Sequence, residues 1–153
     1  MLLYSDTGAV VGVARLRVRY AETDKMGVVY NSNYLIWFEI GRVELMRDLG
    51  HSYRQIEEDG YLFPVAEVTC RYKDSAAYDD EIVIHTSILK LRCSLIQFGY
   101  RVFRESDSKL LATETSAHFV LGRDKQRRPL SEKYMVPFAR AMGGAVDSKT
   151  SSE

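Results

Sequence analysis

The chain has almost no net charge: Lys plus Arg and Asp plus Glu each number 21 in 153 residues. Such a balance creates no general field to gather nucleic acid or an anionic membrane, and neither is expected as a partner. Cysteine is scarce. Cys70 and Cys93 each sit inside or at the end of a strand-like segment, which makes no disulfide framework and suits thiols in a cytoplasmic compartment. No apolar run approaches the ~18 residues a membrane helix requires. The opening MLLYSDTGAVVG lacks a basic segment followed by an apolar core, so it does not read as a signal peptide. His51, His85 and His118 are scattered, with no H-E-x-x-H pair and no Cys–His spacing, so no metal is expected. They fit no Ser–His–Asp order, and no glycine-rich phosphate loop appears. No cofactor is expected.

What remains is an ordinary globular composition, 46% hydrophobic and 27% charged, long enough for one domain. A chain of this size buries roughly 70% of its unfolded surface and needs no staple. Residues 1–12 show no firm pattern and are expected to be a flexible segment. From Val13 the chain alternates, Ala14, Leu16, Val18 and Tyr20 against Arg15, Arg17 and Arg19, which is the period of a half-buried strand. A helix is expected from about Asn33 to Leu49. Tyr34, Leu35, Phe38, Gly41, Leu45, Met46 and Leu49 share one face, and Trp37, Ile40 and Val43 widen the stripe beyond that of a surface helix. Gly41 in mid-helix costs roughly 1 kcal/mol relative to Ala, which points to a close approach of helix and sheet. Gly50 terminates this helix, and Ser52 caps a short second one that runs to Asp59.

Strands then dominate: Phe63 to Lys73, Glu81 to Arg92, Leu95 to Arg104 and Leu110 to Leu121. They read as a hairpin succession, with a turn at DSAAYDD and a polar connection at ESDSK. A basic loop, GRDKQRRPL, precedes a short helix between Ser131 and Met142, and residues 143–153 are expected to be a disordered tail. An early helix followed by strands run together argues an α+β fold with an antiparallel sheet. A curved sheet wrapping one long central helix, the hotdog architecture, accounts for the wide apolar stripe, with the domain spanning 13–142. Long edge strands in such a sheet invite pairing with a second copy.

The stretch Tyr20 to Leu49 carries the chemistry. Asp24 stands in a polar loop just ahead of the helix start at Asn31 to Asn33. First-turn N–H groups lack partners within a helix and carry partial positive charge, so they can polarise a carbonyl on which Asp24 then acts. That is the outline of a hydrolytic site for an ester or thioester. From the residues alone Asp24 could equally be a turn residue or a dipole-stabilising anion, and Asn31 or Ser32 an ordinary cap. Glu39 and Arg42 form either a surface pair or part of a pocket wall, and Tyr34, Trp37 and Phe38 either core or an acyl pocket.

The run Thr23-Asp24-x-x-Gly27-Val28-Val29-Tyr30, with Asn33-Tyr34-Leu35, Trp37-Phe38-Glu39 and Arg42, resembles the 4-hydroxybenzoyl-CoA thioesterase family and its YbgC-type acyl-CoA thioesterases. Ala77-Tyr78-Asp79-Asp80 and Arg128-Pro129-Leu130 extend the resemblance over roughly residues 13 to 138. It implies a hotdog fold, a homodimer or homotetramer, and hydrolysis of acyl-CoA to free acid and CoA. The resemblance assigns Asp24 as nucleophile or general base and the backbone N–H of Asn31 as oxyanion donor. Tyr30 and Asn33 are the implied substrate contacts beside them. Many YbgC-type members carry histidine where this chain has Asn31; a backbone donor survives that change, whereas a role for imidazole would not. Lys90 and Arg92, near the turn between the third and fourth strands, are the implied contacts for the CoA phosphates. Arg123, Lys125, Arg127 and Arg128 could serve instead, or dock an acyl carrier protein. A non-catalytic acyl-CoA-binding module is the remaining alternative.

Overall fold

In the computed structural model, which describes residues 1–143, the regular elements run in order as β1 (Leu2–Tyr4), β2 (Val10–Arg17), a 3-10 turn (Tyr20–Glu22), α1 (Asn33–Asp48), α2 (Tyr53–Glu58), β3 (Val65–Tyr72), β4 (Glu81–Arg92), β5 (Leu95–Arg104), β6 (Lys109–Phe119) and α3 (Glu132–Ala141). Apart from Gly143, the expected tail lies outside the described residues. All six strands join one antiparallel sheet in the order β1-β2-β4-β5-β6-β3.

This sheet curves around α1, and the architecture is the hotdog fold. α1 lies across β2, β4 and β5, with Tyr34, Trp37, Phe38, Gly41, Leu45 and Met46 buried against them. Ile96, Phe98, Tyr100 and Val102 of β5 face the helix and are fully or nearly buried, as their alternation predicts. Gly41 meets the expectation of close approach. A β-carbon there would stand 2.5 Å from Thr86 Oγ1 and 2.9 Å from Ile84 Cγ2, so only glycine lets α1 settle this deeply. Gly50 follows the helix at φ +100°, and the Ser52 hydroxyl accepts the Gln55 N–H to cap α2.

Four features depart from the sequence reading. β3 and β4 are not a hairpin: β3 lies on the sheet's edge beside β6, and β4 is inserted between β2 and β5. The residues between them, including DSAAYDD, cross the end of the sheet. There Ala76 accepts the Val29 N–H, and Ala77 bridges Val28. Residues 2–4 form an edge strand on β2, where the sequence shows no pattern. Tyr20 leaves the alternation, because β2 ends at Arg17 and the 3-10 turn puts its ring in solvent. Leu35 and Ile40, placed on the apolar stripe, are exposed.

Candidate active site

The loop between the 3-10 turn and α1 is a tight hairpin built on Asp24. The Asp24 N–H donates to Val28 O at 2.9 Å, and the Gly27 N–H donates back to Asp24 O at 3.0 Å. Gly27 makes the turn at φ +77°, a conformation that costs residues with a β-carbon far more. Asp24 Oδ1 accepts the Met26 N–H at 2.8 Å, an Asx turn that fixes the carboxylate. Its Oδ2 has no hydrogen-bond partner among the described residues.

Glu22 anchors this loop. It is 4% exposed. Its Oε1 accepts the Arg19 N–H and its Oε2 the Trp37 indole N–H, both at 2.8 Å. Its carbonyl accepts the Tyr30 N–H and Asn33 Nδ2–H, both at 2.9 Å. Both ends of the Asp24 loop are thereby tied to a core tryptophan of α1.

The start of α1 has no side-chain cap, and its first N–H groups are met by turn carbonyls instead. Ser32 occupies the N-cap position with helical dihedrals and no side-chain cap, and the first turn holds no acidic residue. The Asn33 N–H turns back to Tyr30 O at 3.0 Å, and the Tyr34 N–H reaches Asn31 O at 3.3 Å. The Asn31 N–H has no backbone carbonyl partner among the described residues. In a trans peptide the N–H points opposite to the C=O of the same unit. With Tyr30 O directed at Asn33, the Asn31 N–H points away from the first turn.

A cleft of about 400 Å³ brings Asp24, Tyr30 and Asn31 together with Val28, Val29, Tyr34, Tyr72 and Lys73. Apolar walls, an uncapped helix start and a fixed carboxylate can bind and polarise a carbonyl while exposing it to attack. Asn33 does not line this cleft; its side chain is spent on Glu22. Lys90 and Arg92 lie at the opposite end of β4 from the crossing at Ala76 and Ala77, roughly 30 Å away at strand rise. A register irregularity between Ile88 and Lys90 reverses the alternation there, so Leu91 is buried and both cations face solvent. In the basic loop, Arg123 donates to Glu58 O and Arg127 donates to Ser94 Oγ while stacking 4.4 Å from the Phe119 ring centroid. Within one protomer none of these cations reaches the cleft.

Sequence reasoning missed Glu22, Tyr72 and Lys73. Tyr72 Oη donates to Asn31 O at 2.9 Å; the residue as a whole is half exposed, and partial burial together with the adjacent Cys70 thiol pushes its pKa up to about 12. Lys73 is the one cation among the described residues that line the cleft, with Asp74 beside it. Neither carries a local signal, since both close an otherwise ordinary edge strand.

A sequence profile described as the Thioesterase-like superfamily matches residues 18–138. The chain belongs to that superfamily. YneP of Bacillus subtilis is 37% identical over 114 residues, covering 74% of this chain and 82% of its own length. The Haemophilus influenzae protein named acyl-CoA thioesterase YbgC is 32% identical over 111 residues, 72% of this chain and 82% of its own. A DHNA-CoA thioesterase from Staphylococcus aureus superposes with a TM-score of 0.76 at 30% identity, covering 86% of this chain and 87% of that one. The expectation of a thioester hydrolase is met at the level of the family. Among the described residues no group of side chains could hold a metal ion, and no helix is long and apolar enough to cross a membrane.

Proposed function

We propose that this chain hydrolyses the thioester of an acyl-CoA, releasing the free acid and CoA. The observation that supports the reading is one cleft lined by both Asp24 and Asn31, with the Asn31 N–H lacking a backbone acceptor among the described residues. The carbonyl oxygen of the substrate takes the Asn31 N–H, and the positive end of α1 stabilises the negative charge that grows there. Asp24 Oδ2 either attacks the carbonyl carbon or takes a proton from the water that does. The C–S bond then breaks and CoA leaves as the thiolate, to be protonated from solvent. If Asp24 attacks, the single water of the reaction enters afterwards and hydrolyses the mixed anhydride, releasing the acid and restoring the Asp24 carboxylate. The donor is a main-chain group, so asparagine in place of histidine at position 31 does not remove it.

The acyl group lies against Tyr30, Tyr34 and Val29. Lys73 in the cleft lining is placed to meet a phosphate, and Lys90 and Arg92 serve the cleft of another protomer. The edge strand supports such an assembly: Val65, Val68 and Tyr72 of β3 are exposed, and among the described residues no strand lies beside its outer hydrogen-bonding edge. A second copy adding to that edge covers both.

The test is thiol release from short-chain, long-chain and aromatic acyl-CoAs and from acylated carrier protein. Turnover on at least one acyl-CoA is expected. Hydrolysis of carrier-protein esters alone would replace CoA with the carrier, and no hydrolysis at all would leave a binding module.

A further inference from the structure

We infer that Tyr72 is a positioning residue for the oxyanion donor, an inference that rests on the thioesterase reading above. Tyr72 is the last residue of the edge strand β3, yet its side chain crosses to the start of α1, 41 positions earlier in the chain. The ring stands edge-on to Tyr34 at 5.2 Å, and Tyr34 in turn packs on Trp37 at 4.7 Å. This contact aims the hydroxyl at one atom, the carbonyl oxygen of Asn31.

Asn31 precedes α1, and the backbone donor to its oxygen, the Tyr34 N–H in a three-residue turn, is 3.3 Å away, beyond the usual range for a good N–H···O bond. The 2.9 Å bond from Tyr72 is therefore the stronger hold on the peptide that follows Asn31. The peptide that precedes Asn31, which bears the catalytic N–H, is held through Tyr30 O by the Asn33 N–H. Two peptides meeting at one α-carbon are thus pinned from two directions. Releasing the second lets residue 31 rotate. An oxyanion donor is useful only within a few tenths of an ångström of its position, so the loss falls on the transition state. Tyr72 lines the same cleft as Asp24, but its hydroxyl is directed at Asn31 O and not at the carboxylate.

The experiment compares wild type, Asp24→Asn and Tyr72→Phe on the best acyl-CoA, with kcat and KM separated. It adds binding of a non-hydrolysable thioether analogue and thermal unfolding. Tyr72→Phe keeps the ring packing and removes only the hydroxyl. The expected result is a kcat lower by about tenfold to a hundredfold, with KM, analogue affinity and melting temperature close to wild type. That split marks an interaction made only in the transition state. Wild-type kcat in Tyr72→Phe overturns the inference. So does a raised KM at unchanged kcat, which would make Tyr72 a substrate contact, or a loss that follows the melting temperature. A wild type without Asp24-dependent turnover overturns the thioesterase reading itself, and this inference with it.

Discussion

At the scale of single residues, Glu22 shows how the site is held. An acidic residue after an alternating strand reads as solvated, but here the carboxylate is buried and satisfies the Trp37 indole N–H and the Arg19 N–H. Glu22→Ala leaves a buried donor without a partner, which costs ~1–3 kcal/mol. The melting temperature should fall by about 2–4 °C for each kcal/mol in a chain of this size. An unchanged unfolding midpoint in Glu22→Ala would contradict the anchoring role. The loop that carries Asp24 was legible because its neighbours Gly27 to Tyr30 form a recognisable run and its hydrogen bonds are local. Glu22 and Tyr72 were not, because each acts on a group 15 or 41 positions away and nothing in their immediate sequence marks the pairing.

At the scale of elements, the inward face of β6 carries an unusual load. Glu114 and His118 are 5% and 1% exposed, and Glu114 Oε2 has no hydrogen-bond partner among the described residues. His118 Nε2 meets Ser116 Oγ at 2.8 Å, and that hydroxyl meets Tyr100 Oη at 2.7 Å. Burial pushes the Glu114 pKa from 4.5 to about 8, with Arg42 of α1 opposing. Burial first, then Arg42, lowers that of His118 from 6.5 to about 4. The two act on stability with opposite signs. Folded Glu114 keeps a proton that the unfolded chain has lost between pH 4.5 and about 8, so its contribution is full at low pH and declines as pH rises through that window. Folded His118 lacks a proton that the unfolded chain holds between about pH 4 and 6.5, so its contribution grows with pH there. Replacing Glu114 with Gln isolates the first effect. The stability of Glu114→Gln relative to wild type should increase steadily from pH 5 to 8 in urea unfolding. A constant difference would contradict the buried, protonated carboxyl. Although the apolar stripe read on α1 included Leu35 and Ile40, which are exposed, the bounds of α1, β4 and β5 were legible nearly to the residue. The placement of β3 was not, since a strand's own alternation says which face is buried but not which neighbour it joins.

At the scale of the whole molecule, the fold supplies a rigid seat for a loop and a helix start, and leaves one long edge open. β3 is eight residues long, and every residue but one is exposed, although Val65, Val68 and Tyr72 are apolar or aromatic. A second copy on this edge would cover it and bring new side chains towards the cleft, Lys90 and Arg92 among the candidates. Light scattering at micromolar concentration should give a mass of at least two chains; a monomer mass would contradict that assembly. The central claim is that Asp24 performs the chemistry on a carbonyl held at the start of α1. The direct test is kcat for acyl-CoA hydrolysis by wild type and Asp24→Asn at equal fold and assembly. Asparagine can still accept the Met26 N–H and keep the loop, but it supplies neither nucleophile nor base. The expected loss is ~10²–10⁴-fold, the range of a positioned acid–base group. Activity in Asp24→Asn above about a tenth of wild type, well short of that range, would contradict the account.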